Sequence, residues 1–141
     1  MTTTGLQLRS LVKDDNTLEL SLVEVETPEP GPDEILVRME AAPLNPSDLA
    51  LLFGPADMAT AKVSGSPERP VITADIPAKL MKMVTARIGE SLPVGNEGSG
   101  VVVAAGSSDA AQALLGKMVG LVGGDMYCQY RCVNVFQALA L

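Results

Sequence analysis

Between residues 6 and 41, apolar side chains recur at every second position, and a single slip in that period limits what the chain can fold into. Leu6 and Leu8 alternate with Gln7 and Arg9, and Leu18, Leu20 and Leu22 alternate with Glu19 and Ser21. The phase then shifts by one residue, so that Val23 and Val25 alternate with Glu24 and Glu26. A period of two belongs to a half-buried strand, whose successive side chains point to opposite faces. A one-residue slip sends the apolar set to the other face, which marks a bulge or corner of the kind found in a small barrel. Asp14, Asp15 and Asn16 supply the turn between the first two runs. Pro28, Pro30 and Pro32 remove ladder donors, so segment 27–32 is a loop. Ile35, Val37, Met39 and Ala41 then alternate with Leu36, Arg38 and Glu40 as a third strand with a mostly polar outer face.

The pattern breaks at Asn45-Pro46-Ser47-Asp48. The apolar run Leu49 to Phe53 is predicted to be one helical turn capped by Ser47. Residues 54–70 carry no period and are expected to form an irregular, exposed loop. One helix is expected over 76–88, with Asp75 as N-cap, Pro77 in the first turn and Gly89 as the stop. Its apolar stripe, Ile76, Leu80, Met83, Val84 and Ile88, is read as packing surface. Gly98 to Ala105 is a strand of small residues and valines, expected to be buried on both faces. Ser108 is placed as the cap of a short helix, Asp109 to Leu115, closed by Gly116. Met118 to Val122 and Met126 to Val135 are two more strands, with Gly123-Gly124-Asp125 as the hairpin signal between them. The sum is about six strands and two or three short helices, a mainly β fold.

Composition narrows the function. The chain has 141 residues, a length that suits a single domain, and its net charge is −7. Such a surface repels phosphate backbones, and 3% aromatics leaves few stacking platforms, so nucleic acid is not an expected partner. The absence of histidine excludes Ser-His-Asp and Cys-His catalysis and every histidine-containing zinc site. No stretch suits a membrane span, and MTTTGLQLRS lacks the charged start and apolar run of a signal peptide. Cys128 and Cys132, if on one strand, stand about 13 Å apart at about 3.3 Å per residue. A disulfide needs Cα atoms within about 7 Å. They are read as two small buried hydrophobes, and a reducing cytoplasm fits them best.

Few residues announce chemistry. Gly95-Asn96-Glu97-Gly98-Ser99-Gly100 resembles a phosphate loop at first sight. However, it precedes a strand rather than opening a helix, and its order is G-x-x-G-x-G. A tight turn with close backbone approach is the better reading. Glu97, set in that turn before a buried strand, needs a partner. Ser47 has no base beside it. The chemistry of the residues alone yields an acidic, mostly antiparallel β domain without a self-sufficient catalytic set.

Five segments, taken in order, resemble the N-terminal domain of medium-chain dehydrogenases/reductases. Pro30 to Arg38 is similar to the family's P-G-x-x-E-V-L-V-R segment, and Ala42 to Asp48 to its substrate-side motif in the N-P-x-D version. Leu92 to Val102 resembles P-x-x-x-G-x-E-G-x-G-x-V, Gly116 to Val119 the G-x-x-V that follows, and Gly124 to Tyr130 the G-x-Y-A-E-Y strand. The resemblance implies a GroES-like, partly open β-barrel that forms one wall of an active-site cleft. Zinc-dependent members place a Cys where this chain has Pro46 and a His where it has Asn96. The four-cysteine lobe is also missing, so the resemblance is to the zinc-free quinone and enoyl reductase branch. It implies hydride transfer from NADPH to a small carbonyl, quinone or enoyl substrate, without a metal. Asn45 and Asp48 match that branch's active-site positions. The resemblance assigns Asn45 to hydrogen bonding of nicotinamide or substrate and Asp48 to shaping the pocket; the opposing reading is that both cap the turn at 45–53. Glu97 is expected to brace the cleft.

The family's cofactor-binding Rossmann domain has no counterpart in residues 1–141. One expectation is therefore a domain cut from a longer reductase, inactive alone, with Phe136 to Leu141 part of an apolar patch open to self-association. The other is a standalone GroES-like module for binding or assembly, without catalysis.

Overall fold

A computed structural model describes residues 2–141. Among them ten strands and two short α-helices follow in order: β1 (Thr3–Val12), β2 (Thr17–Thr27), β3 (Glu34–Ala41), α1 (Pro46–Leu52), β4 (Asp57–Gly65), β5 (Pro70–Asp75), β6 (Ser91–Pro93), β7 (Glu97–Ala105), α2 (Asp109–Gln112), β8 (Met118–Val122), β9 (Tyr130–Asn134) and β10 (Ala138–Ala140). The mainly β architecture is as expected, and the strands number ten rather than about six. They form two five-stranded sheets, ordered β4-β5-β2-β1-β6 and β10-β8-β7-β3-β9. The second sheet is a half-barrel, consistent with a partly open GroES-like barrel.

The chain divides into two compact units. Among the described residues, the first comprises the chain up to Gln7, 24–43 and 95–141; the second comprises 8–23 and 44–94. Strand β2 is continuous through the slip in its apolar period, and the division between units falls there, at Val23/Glu24. Asn16, at φ 63°, makes the turn between β1 and β2, as the Asp-Asp-Asn sequence predicts.

In the first unit the core is built from Ile35 and Val37 of β3, Val102 of β7, Val119 and Leu121 of β8, Val133 of β9, Ala111 and Met126. Strand β3 is central, paired antiparallel with β7 on one side and β9 on the other. Ile35, Leu36 and Val37 are all buried there, more than the sequence alternation predicts. Strand β7 is buried on one face only: Gly98, Gly100 and Val102 are covered while Glu97 and Val103 are exposed. The glycines let that face lie close to β3, because a Cβ at Gly100 would strike the Arg38 carbonyl and one at Gly98 the Met39 methyl. Ser108 caps α2, its hydroxyl accepting the Ala111 N–H at 3.1 Å, as expected; the α-helix is shorter than predicted. The Gly123-Gly124-Asp125 turn takes three positive φ angles but is not a hairpin: β8 pairs with β7 and β10, while β9 pairs with β3. The last predicted strand shrinks from Met126–Val135 to Tyr130–Asn134.

In the second unit the predicted loop at 54–70 is instead strand β4 and a turn leading into β5. Strand β4 is an edge strand, exposed along residues 61–65. With neither face buried there, its sequence carries no period to read. A break in register between Asp57 and Lys62 bends it, one of the ways an edge is protected from pairing. The predicted α-helix at 76–88 is two 3-10 turns, Ala78–Met83 and Thr85–Arg87, broken at Val84. Of the apolar stripe only Ile76 and Val84 are buried, and Met83 is 68% exposed. The Thr85 hydroxyl donates to the Met81 carbonyl, the acceptor an α-helix needs for its own ladder. So little buried surface does not offset helix nucleation.

Gly100→Ala is expected to cost about 3 kcal/mol in urea unfolding, because the clash is with backbone that cannot swing away. Gly116→Ala, at φ +80° with open space around it, is expected to cost only about 1 kcal/mol.

Candidate functional site

Within the second unit, the Asn45–Asp48 motif opens helix α1. Pro46 stands in the first helical turn, where the lost N–H has no ladder partner. Asn45 is the N-cap residue and forms a capping box with Asp48. The Asn45 N–H donates to Asp48 Oδ2 at 2.9 Å, and the Asp48 N–H donates to the Asn45 carbonyl at 2.9 Å. Asp48 is only 3% exposed, whereas Asn45 is half-buried. The expected Ser47 cap is therefore corrected: an N-cap must lie outside the helix, and Ser47 lies inside the first turn, exposed.

The other end of α1 is held by two residues that spacing does not single out. Arg87 donates through Nη2 to the Leu51 carbonyl at 2.9 Å and to Ser10 Oγ at 3.1 Å. Its Nη1 reaches the Ala50 carbonyl at 3.4 Å. Ser10, fully buried, donates to the Leu52 carbonyl at 3.0 Å. Three terminal carbonyls of a seven-residue helix thus gain donors. Burial pulls the Arg87 guanidinium pKa down from its usual value. Met83, Val84, Gly54 and Pro55 line a cavity of about 360 Å³ beside it. Ser10 lies 77 residues from Arg87 in sequence, so no local pattern links them.

Within the first unit lies a larger cavity, about 600 Å³. Its wall is formed by Ala41–Pro43 after β3, Glu97–Ser99 of β7, Gly120–Val122 of β8, and Phe136–Leu139 at β10. Glu97 faces solvent and is paired in register with Val122; the strand that follows it is not the buried one the sequence suggested. The Tyr127 hydroxyl donates to the Pro43 carbonyl at 2.8 Å and fixes that part of the wall. Phe136, Leu139 and Leu141 are exposed by 92%, 71% and 76%, so the expected apolar patch at 136–141 is present.

The glycine segment behaves as a tight turn. Gly95 takes φ +102°, and a Cβ there would meet the Tyr127 ring at 2.6 Å. The Gly95 carbonyl accepts from Met126 and that of Asn96 from Gly123. A strand, not a helix, starts at Glu97. Residues 95–100 therefore do not fit a nucleotide pyrophosphate, which needs helix N–H groups converging on it.

Cys128 and Cys132 are unpaired and half-buried. Burial pushes the Cys128 thiol up to about 11, against a smaller opposing effect of Arg131, and raises Cys132 as well. Among the described residues no group of three or more His, Cys, Asp or Glu side chains converges to hold a metal. No helix of the described residues is long and apolar enough to cross a membrane.

No protein-family model matches the sequence. No curated protein matches it either. Solved structures do match its fold. The enoyl reductase CurK matches with TM-score 0.61 at 20% identity, over 97% of this chain and 35% of that one. The quinone oxidoreductase from Coxiella burnetii matches with TM-score 0.56 at 20% identity, over 98% and 37%. The Etr1p T175V mutant, solved with NADP and crotonyl-CoA, matches with TM-score 0.56 at 18% identity, over 100% and 34%. The expected resemblance thus holds at the level of fold, which this chain shares with an enoyl reductase and a quinone oxidoreductase. The chain spans about a third of the length of each.

Ser10→Ala is expected to lower stability by about 1–2 kcal/mol, since it leaves the Leu52 carbonyl and one Arg87 hydrogen unpaired in a buried place. Asp48→Ala is expected to cost about 1–2 kcal/mol by opening the capping box. Both are read in urea unfolding. The raised Cys128 pKa keeps the thiol neutral in the folded chain, so its alkylation by iodoacetamide at pH 8 should be much slower folded than unfolded. An unfolded thiol ionises from about pH 9, so the stability that this pKa difference confers is complete below pH 9 and lost as pH rises to about 11.

Proposed function

We propose that residues 1–141 are the substrate-side domain of a zinc-independent, NADPH-dependent oxidoreductase acting on a small carbonyl, quinone or enoyl compound. One observation carries this reading. Nearly the whole chain, at 97–100% coverage, follows the fold of quinone and enoyl reductases over about a third of their length. The remaining two thirds of such an enzyme would include the part that holds the nucleotide. Residues 95–100, committed to packing against Tyr127 and β3, do not fit the phosphates.

When bound, NADPH supplies a hydride to the electron-poor carbon of the acceptor. This chain's own groups supply orientation and exclusion of water. Asn45 carries an amide at the start of α1 that can hydrogen-bond a carbonyl oxygen or the nicotinamide carboxamide. Asp48 is a positioning residue: its carboxylate holds the Asn45 backbone. The two roles weighed for this pair are compatible, because the capping box is what fixes the direction of Asn45. Pro46 and Asn96, at the positions where zinc-binding relatives carry Cys and His, offer no thiolate or imidazole. Two unpaired thiols suit a reducing, cytoplasmic setting. The exposed Phe136, Leu139 and Leu141 suit cover by a further domain or, in its absence, self-association.

The test is the complete gene product that contains this chain, assayed for NADPH oxidation with a quinone and with an enone. Turnover is expected, and Asn45→Ala should lower kcat by about 100-fold, the scale of a lost positioning contact. Residues 1–141 alone should show no NADPH binding by calorimetry. Micromolar binding by the isolated chain would overturn the placement of the nucleotide site elsewhere. A complete product that reduces neither acceptor overturns the reductase reading and leaves the standalone binding module.

A further inference from the structure

Arg87 carries a charge that no acidic group balances. Its side chain is half-buried, and it has no ion-pair partner among the described residues. Burial lowers its pKa with no carboxylate acting against that effect. A guanidinium has five N–H donors. Both hydrogens of Nη2 are committed, to the Leu51 carbonyl and to Ser10 Oγ, and one hydrogen of Nη1 reaches the Ala50 carbonyl at 3.4 Å. The Nε hydrogen is buried and has no acceptor. The carbonyls at the end of α1 offset part of the charge, but what they need is donors, which a neutral side chain also supplies.

The cavity beside this group, about 360 Å³, is of the size that takes a small ligand. Ala50, Gly54 and Pro55 from the end of α1 form one part of its wall, and Met83, Val84 and Arg87 form the other. Arg87 is thus the only polar side chain in an apolar wall. Gly54, at φ +54°, leaves the guanidinium open to approach, since a Cβ there would crowd Nη1 at 3.3 Å. The two segments that supply the wall, 49–56 and 76–89, contain Lys79, Lys82 and Arg87 and no acid. Both lysines are exposed, and neither has an ion-pair partner among the described residues. The acids that flank these segments, Asp48, Asp57, Asp75 and Glu90, stand outside the wall.

We propose that this cavity binds a monocarboxylate with a short aliphatic chain, its carboxylate on Arg87 and its chain against Ala50, Pro55, Met83 and Val84. The wall determines the class. One guanidinium with three hydrogens committed balances one negative charge. A phosphate group brings more charge and more oxygens, which would leave water for apolar side chains. A neutral amide of the same chain gains the apolar contacts but leaves the guanidinium without a counter-ion. The site lies at the opposite end of α1 from Asn45 and requires neither nucleotide nor hydride transfer. It therefore goes beyond the reductase reading and does not rest on it.

The experiment titrates the 141-residue chain with pentanoate, pentanamide and inorganic phosphate, following amide chemical shifts and the Arg87 Nε–H signal. Pentanoate is expected to shift Ala50, Gly54, Val84 and Arg87 saturably and to move the Nε–H signal with them. Pentanamide should bind at least about tenfold more weakly, the scale of one hydrogen bond to a charged group. Phosphate should also bind more weakly than pentanoate. Arg87→Gln should remove the difference between pentanoate and pentanamide. Because Arg87 also holds α1, a second variant, Met83→Glu, tests the site without touching that anchor. Met83 is 68% exposed, so this variant is expected to fold. The carboxylate it adds to the wall should weaken pentanoate by about fivefold through like-charge repulsion and leave pentanamide within about twofold. The proposal is overturned if pentanoate shifts none of these residues, if pentanamide or phosphate binds as tightly as pentanoate, or if Met83→Glu leaves pentanoate binding unchanged.

Discussion

Strand β7 approaches β3 so closely that residue 100 has no room for a side chain. The Arg38 carbonyl occupies the place of its Cβ, and the Met39 methyl occupies that of residue 98. This approach brings Val102 onto Ile35 and Val37, and it lets β8 carry Val119 and Leu121 into the same core. The register between β3 and β7 shifts twice along the way, at Leu36/Val37 and at Met39/Ala41. Shifts of this kind bend a sheet, as bulges do. They end the tight pairing where Ala41–Pro43 and Glu97–Ser99 become the wall of the cavity. The glycines that close the core therefore also determine where it opens.

How much of this the sequence reveals depends on whether a segment buries one face. Strands β2, β3, β7 and β8 have buried positions, and their ranges follow from alternation or from a Val-rich run. Strand β4 has no buried face over residues 61–65, so nothing in Ala61-Lys62-Val63-Ser64-Gly65 distinguishes it from a loop. At 76–88 the period of 3.6 is present in the sequence but only Ile76 and Val84 of its stripe are buried, and 3-10 turns result. Gly123-Gly124-Asp125 has the composition of a hairpin turn and makes a sharp turn, but the strands it joins are not neighbours. Turn chemistry fixes local φ and leaves the identity of the pairing strand to the core.

The candidate site was legible in part for the same reason. Asn45 and Asp48 stand three apart, the spacing of a capping box, and that spacing is visible in the sequence. Ser47, also a good capping residue, competes for the role in the sequence; Pro46 decides against it by starting the helix at residue 46, which puts the cap on Asn45. Arg87 and Ser10, which complete the other end of the helix, come from strand β1 and a 3-10 turn far along the chain. No spacing rule reaches that distance. The cavity of the first unit is likewise assembled from four separated segments and exists only once β10 has joined β8.

Charge divides the work that a nucleotide-dependent reductase would have to do. A dinucleotide brings several phosphate charges, and binding them takes backbone N–H groups at a helix start or several basic side chains. The first unit has three bases, two already facing acids, and its glycine turn leads into a strand. In the second unit, Arg87 is held to the carbonyls of α1 and to Ser10. What the first unit offers instead is an apolar cavity with a single carboxylate in its wall and an exposed apolar rim at Phe136 and Leu139. Such a surface suits the uncharged end of a reaction and is unsuited to its phosphates. If hydride transfer takes place against this fold, the glycine turn and the three bases of the first unit do not supply the anchor for the anionic part of the cofactor.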